Sequence, residues 1–328
     1  MTDSASARRS AALRFPAGFV ERTRALDLLA LLAVPVVLVA AFALPEPVRR
    51  SLAFEYTDPS IVAAFASAYV HVGPAHLLTN VGGYLLVVPT AYLLSVASGH
   101  RRRFFLVFAT VLVAFPPVLS YLNLAAVRTA SGLGFSGVLL AFVGYLAYAV
   151  AEHLAVNLRV GPAASVAPAL FFLGFAVAAP LSVQSVTVDR ATVALGTAGL
   201  VLATLLSALL FALSAADETD SLRRRLRFAT ARRGSFELAV LSLALFAGVQ
   251  FVAFPPRPTA GPGTVNLYTH LLGYALGFIV TYVSVQVFDR FGADRPDVDW
   301  PDGDRLDVDR TDAPRSGVDR SDADRFPR

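Results

Sequence analysis

The sequence predicts an all-α, polytopic helical membrane protein, and three observations predict it. Apolar residues gather in blocks of about 20 rather than in the spaced stripes of a soluble core. Of the 328 residues 55% are hydrophobic and 16% charged. Arginine collects on alternate connections between the blocks, as short cytoplasmic loops require.

Eight runs, near 25–46, 76–97, 104–124, 134–152, 164–183, 191–214, 236–254 and 267–288, are long enough to cross a hydrocarbon core as helices. Residues 1–24 form a polar N-terminal segment with Arg8, Arg9, Arg14, Arg22 and Arg24. The run that follows is too long for a signal-peptide core and is expected to be a retained anchor. With eight spans drawn, that segment, Arg101 to Arg103, Arg159 and the group Arg223, Arg224, Arg225, Arg227, Arg232 and Arg233 share one side. Both termini are then cytoplasmic in a multi-pass cell-membrane protein. The other side receives a loop over 47–75, turns over 125–133 and 184–190, and a Pro/Gly-rich loop from Pro255 to Gly263. The membrane domain spans 25–288, and the Asp/Arg-rich residues 289–328 have little to bury, so they are expected to be a disordered cytoplasmic tail.

Composition also excludes chemistry. No cysteine is present, which removes disulfides, thiolate metal sites and a cysteine nucleophile. The formal charge of +4 comes from arginines in short loops, with no lysine anywhere, so no continuous basic face offers itself to nucleic acid.

Polar side chains within apolar spans are costly, so each is a functional candidate. They are few: His71, His76 and Asn80 at the outer start of the second span, Ser136 at that of the fourth, and His270 at that of the last. These three spans run in the same direction, so all five residues share one depth. Ser136 lies between Gly134 and Gly137, which permit close backbone approach and an abrupt helix start. Gly273 and Gly277 follow His270 along one helical face, where small residues admit a neighbouring helix. If that neighbour carries Ser136, His270 can act as general base to a serine nucleophile. His76 and Asn80, four apart on one face, can supply oxyanion donors beside the Ser136 backbone N–H. Packing alone is the competing reading for each: a glycine-rich seam for Ser136, an interhelical hydrogen bond for His270, a polar bridge for His76 and Asn80. His71 and His76 are five apart with no carboxylate between them, so neither a metal nor a cofactor is expected. His100 and His153 fall at inner span ends and read as interfacial residues.

Taken together, His71-Val72-Gly73-Pro74-Ala75-His76-Leu77-Leu78-Thr79-Asn80, then Gly134-Phe135-Ser136-Gly137, then His270 followed by Gly273 and Gly277, resemble the rhomboid intramembrane serine proteases. The resemblance runs from about Ser67 to Phe288. It implies a six-helix core with about two additional spans, Ser136 as nucleophile, His270 as general base, and His76 with Asn80 as oxyanion stabilisers. His71, Gly134, Gly137, Gly273 and Gly277 would be structural parts of the motif. The implied activity is endopeptidase cleavage of transmembrane protein substrates in or near their spans, at a site opening to the outer side. Two features depart from the family's pattern. Three spans rather than one separate the serine helix from the histidine helix, and the first outer loop lacks a Trp-Arg pair, while Leu140 stands where many relatives carry an aromatic beside the histidine. A catalytically inactive relative that binds transmembrane segments is the first alternative. A transporter is the second, although no internal repeat is present and the polar cluster lies near one face rather than at mid-membrane.

Overall fold

The computed structural model describes residues 24–125, 131–183, 190–216, 229–232, 234–255, 259–260, 263–264 and 266–290. The expectations for residues 1–23, most of the second arginine group and the tail beyond 290 fall outside the described residues.

The chain is helical and polytopic. Among the described residues, seven helices are long and apolar enough to cross a membrane: α1 (Ala25–Phe42), α4 (Pro74–Ala97), α7 (Ser136–Leu158), α8 (Ala163–Val183), α9 (Arg190–Ala216), α10 (Ser235–Ala253) and α11 (Leu267–Arg290). The remaining expected span, the third, near 104–124, is a bent pair, α5 (Arg101–Val113) and α6 (Phe115–Leu122, continued by a 3-10 turn over Asn123–Ala125), which meet at 48°. Pro116 and Pro117 explain the break. Each lacks an N–H, and their rings clash with a preceding helical turn, so α6 starts afresh with proline in its first turn.

The loop between α1 and α4 is structured. It contains α2 (Glu46–Ser51), the two-residue strand β1 (Phe54–Glu55), α3 (Ile61–Ala66) and a 3-10 turn over Ser67–Tyr69. Strand β1 pairs antiparallel with β2 (Ser131–Gly132), matching Phe54 to Gly132 and Glu55 to Ser131, which ties this loop to the segment entering α7. A second short ribbon, β3 (Thr259–Ala260) with β4 (Gly263–Thr264), lies between α10 and α11.

Helix α7 is the axis of the bundle. It carries small and apolar residues around its whole circumference, and almost all of it is buried. Helix α4 runs parallel to it: Gly83 lies against Leu139, Ser95 exchanges a 2.7 Å hydrogen bond with Tyr145, and Asn157 donates to Ser98 at 3.5 Å. Helix α11 is parallel to α7 too, and far closer. A β-carbon at Gly144 would stand 2.2 Å from the Tyr274 carbonyl oxygen, and one at Gly277 would stand 2.0 Å from that of Ala141. Glycine is required there because the two backbones touch. The starts of α4, α7 and α11 therefore meet at one end of the bundle, called here the serine end.

Helices α1 and α8 run the other way. Tyr84 and Tyr92 of α4 donate to Leu31 O and Asp27 Oδ2 of α1 at 2.8 and 2.7 Å. Tyr274 and Tyr282 of α11 donate to Phe171 O and Ala164 O of α8 at 3.0 and 3.1 Å. Helix α9 packs chiefly on α8, and none of its most apolar stretch is buried in the protein.

Candidate active site

Ser136 opens α7, and the residues before it explain why the helix begins there. Gly134 has φ +114°, a conformation that side chains disfavour, and its N–H donates to Ser67 O at 2.8 Å. A β-carbon at Gly134 would also meet His76 Cε1 at 2.5 Å, so the His76 ring lies directly over this turn. Phe135 is fully buried, with its ring 5.8 Å from that of Tyr69 and 6.1 Å from that of Tyr84. Ser136 itself is half-buried at the helix start, where first-turn N–H groups have no partner within the helix.

His270 lies in the first turn of α11 and is 6% exposed. Its Nδ1 is 2.8 Å from the Ala253 carbonyl oxygen at the end of α10. A carbonyl only accepts, so Nδ1 carries the proton and Nε2 is left as the basic nitrogen. One turn below, Gly273 sits on the backbone of Gly137, the residue after Ser136: a β-carbon there would be 2.1 Å from the Gly137 oxygen. The expected meeting of the two helices is thus present. Among the described residues the Ser136 hydroxyl forms no hydrogen bond, so the pair shares a seam without being joined in this state. Such bonds in unliganded sites are commonly long and tighten only with substrate.

The other candidates form a second, adjoining group. Asn80 donates from Nδ2 to His71 Nε2 at 3.0 Å and to the His76 carbonyl at 3.1 Å. An amide NH2 has two hydrogens, so both are in use, and Asn80 can serve an oxyanion only by exchanging one of these bonds. His71 is completely buried, and its Nε2 also receives the Phe135 N–H at 3.5 Å. Burial pulls its pKa down to about 4, with the neighbouring His76 adding to the effect, so it is neutral and able to accept. His71 and His76 meet edge to face with ring centroids 4.9 Å apart. His71 thus links Asn80 to the peptide that precedes Ser136.

Several contributors carry no signal in sequence spacing. Leu140 is buried and supplies no aromatic contact, but Phe254, just after α10, sets its ring edge-on to His270 with centroids 5.9 Å apart. Arg49 of α2 is buried, donates to the His71 carbonyl and, at 3.1 Å, to that of Val72, and lies over the Phe42 ring at 4.3 Å. This one arginine clamps the start of α4 in a loop that lacks the Trp-Arg pair. Asn123 braces the start of α11 by accepting hydrogen bonds at its side-chain Oδ1 from Asn266 Nδ2 at 3.0 Å and the Thr269 hydroxyl at 2.9 Å. Amides at span ends are a weak sequence signal that could have drawn attention to them.

His153 lies 17 residues beyond Ser136 on α7, about 25 Å away at 1.5 Å per residue. It bonds Ser235 O at 3.0 Å and Asn157 at 3.1 Å. Close by at the same end, a cavity of about 350 Å3 is lined by residues including His100, Arg103, Tyr148 and Glu152, and Arg103 pairs with Glu152 at 2.6 Å. Neither feature reaches the serine end. No family model, curated protein or solved structure matches this chain.

Proposed function

We propose that this chain is an intramembrane serine endopeptidase of the rhomboid type, which hydrolyses peptide bonds in or near the spans of transmembrane proteins. The observation that carries the reading is the contact of Gly273 with Gly137, which seats the His270 turn beside Ser136. The Ala253 carbonyl supports it by holding His270 in the tautomer whose Nε2 is basic. In this reading α8 and α9 are the additional pair of spans. Helix α9 is peripheral, whereas α10 ends on His270 and belongs to the six-helix core.

The chemistry follows from those positions. Ser136 Oγ attacks the scissile carbonyl carbon while its proton passes to His270 Nε2. The His76 side chain and the first-turn N–H groups of α7 face the developing oxyanion, with Asn80 joining by releasing one of its present bonds. The C–N bond breaks as Nε2 returns the proton to the leaving amine. Water, deprotonated by the same nitrogen, then cleaves the acyl ester and Ser136 recovers its proton. The backbone acceptor at Ala253 performs the orienting task that an acid performs in a triad.

Two observations favour a second reading, a protein that binds transmembrane segments without cutting them. The Ser136 hydroxyl is not hydrogen-bonded among the described residues, and both Asn80 donors are engaged. Reconstitution with a single-span reporter separates the two. Cleavage by the native protein that is abolished in Ser136→Ala and in His270→Ala supports the protease, and unchanged cleavage in either variant sinks the dyad. Reporter capture without cleavage by any form favours the binding protein.

A further inference from the structure

The first turn of α11 is held in place by a residue that belongs to neither helix of the pair. Asn123 stands at the end of α6 and is 3% exposed. Its Nδ2 donates to the Leu119 carbonyl at 2.7 Å. That carbonyl only accepts, so the amide is oriented with Oδ1 toward α11. There Oδ1 accepts from Asn266 Nδ2 at 3.0 Å and from the Thr269 hydroxyl at 2.9 Å.

Each of those donors is itself engaged at the site. Asn266 caps α11: its Oδ1 accepts the Thr269 N–H at 3.2 Å, and its carbonyl accepts the His270 N–H at 3.3 Å. Its Nδ2 also reaches the Tyr56 hydroxyl at 3.2 Å, in the loop that pairs with β2. Thr269 precedes His270 in sequence, and its methyl lies against Gly137, where a β-carbon would come within 2.6 Å of it. The buried Asn123 Oδ1 therefore reaches the neighbour of His270, which rests on the neighbour of Ser136.

We propose that Asn123 is a positioning residue for His270. Acting through Thr269 and Asn266, it holds the first turn of α11 at the height where the imidazole faces Ser136. The inference rests on the serine-protease reading. A brace with no such role would lower stability alone, whereas a positioning residue also governs the reactivity of Ser136 and the state of the ring.

Two readouts separate these cases in the full-length protein. The first is the rate at which a fluorophosphonate labels Ser136 across a pH series. Asn123→Leu removes the acceptor, Thr269→Val removes only the hydroxyl, and Thr269→Ser restores the hydroxyl without the methyl. Labelling slowed about 100-fold in Asn123→Leu and Thr269→Val, with melting temperatures near wild type and recovery in Thr269→Ser, supports the proposal. Wild-type labelling rates in Asn123→Leu and Thr269→Val overturn it. The second readout is the 15N spectrum of the histidines, with His270 assigned by its loss in His270→Gln. The expected result is one Nδ1–H tautomer in the native protein and a mixture in Thr269→Val. A native protein that takes no label at Ser136 fails the protease reading. The 15N comparison then decides the positioning role by itself, and an unchanged tautomer in Thr269→Val overturns it.

Discussion

Replacing Gly273 by alanine drives a wedge into the seam on which the proposed chemistry depends. The new β-carbon would stand 2.1 Å from the Gly137 oxygen, 3.0 Å from the Gly137 carbonyl carbon and 3.3 Å from Ala141 N. Close carbon-to-oxygen contacts are about 3.3–3.6 Å, so the helices must part by roughly 1 Å or more along that line. All three atoms are backbone, and no side chain can swing aside. Overpacking of this kind costs about 1–3 kcal/mol, and misplacing a catalytic group by about 1 Å costs on the order of 100-fold in rate. Cleavage of a single-span reporter in proteoliposomes should therefore fall about 100-fold in Gly273→Ala, while thermal unfolding in detergent shows a moderately weakened fold. Two glycines of α4 serve as controls. A β-carbon at Gly82 meets nothing within 4 Å, and one at Gly83 meets only the Leu139 side chain, whose Cδ2 methyl is nearest at 2.7 Å. Both alanine variants should stay active. A Gly273→Ala protein that cleaves at the native rate would refute the claim that this contact sets the distance between Ser136 and His270.

Phe254→Leu keeps apolar volume beside His270 but removes the aromatic edge, a contact worth about 0.5–1.5 kcal/mol. Turnover should drop several-fold with reporter affinity little changed, and a native kcat would count against the contact. His71 is held neutral well below its ordinary range, to about 4, so the unfolded chain binds a proton that the folded protein refuses between about 6.5 and 4. Stability is then complete above that window and declines as pH falls through it, whereas a His71→Asn variant should show a shallower decline in the same titration. A cysteine placed at Ser235 should resist an impermeant thiol reagent in whole cells while one at Thr259 reacts, and the reverse pattern would invert the assigned orientation.

Much of the fold is legible in the sequence because a bilayer imposes one-dimensional rules. A span must be a continuous apolar helix of about 20 residues, and the blocks beginning near 25, 76, 134, 164, 191, 236 and 267 all become helices. Helix direction then alternates by count, which is why Ser136, His76 and His270 can be placed at one end before any contact is known. The spacing of Gly273 and Gly277 also announces a close seam, since glycine along one face has no other packing use.

Contacts between segments distant in sequence have no such rule. Gly273 meets Gly137 rather than another small residue only because α7, small and apolar all round, takes the centre of the bundle. The aromatic beside His270 comes from Phe254 and not from position 140, and its proton acceptor is a backbone carbonyl, Ala253 O, which no residue type encodes. Asn80 illustrates the same limit. Its place one turn after His76 is visible in the chain, but the commitment of its amide to His71 and to the His76 carbonyl arises only when the loop before α4 folds back on the turn before Ser136. Residue type and spacing state which groups can react and on which face they lie. Which of them touch, and which donors are already spent, is decided by packing between elements that the linear order leaves unrelated.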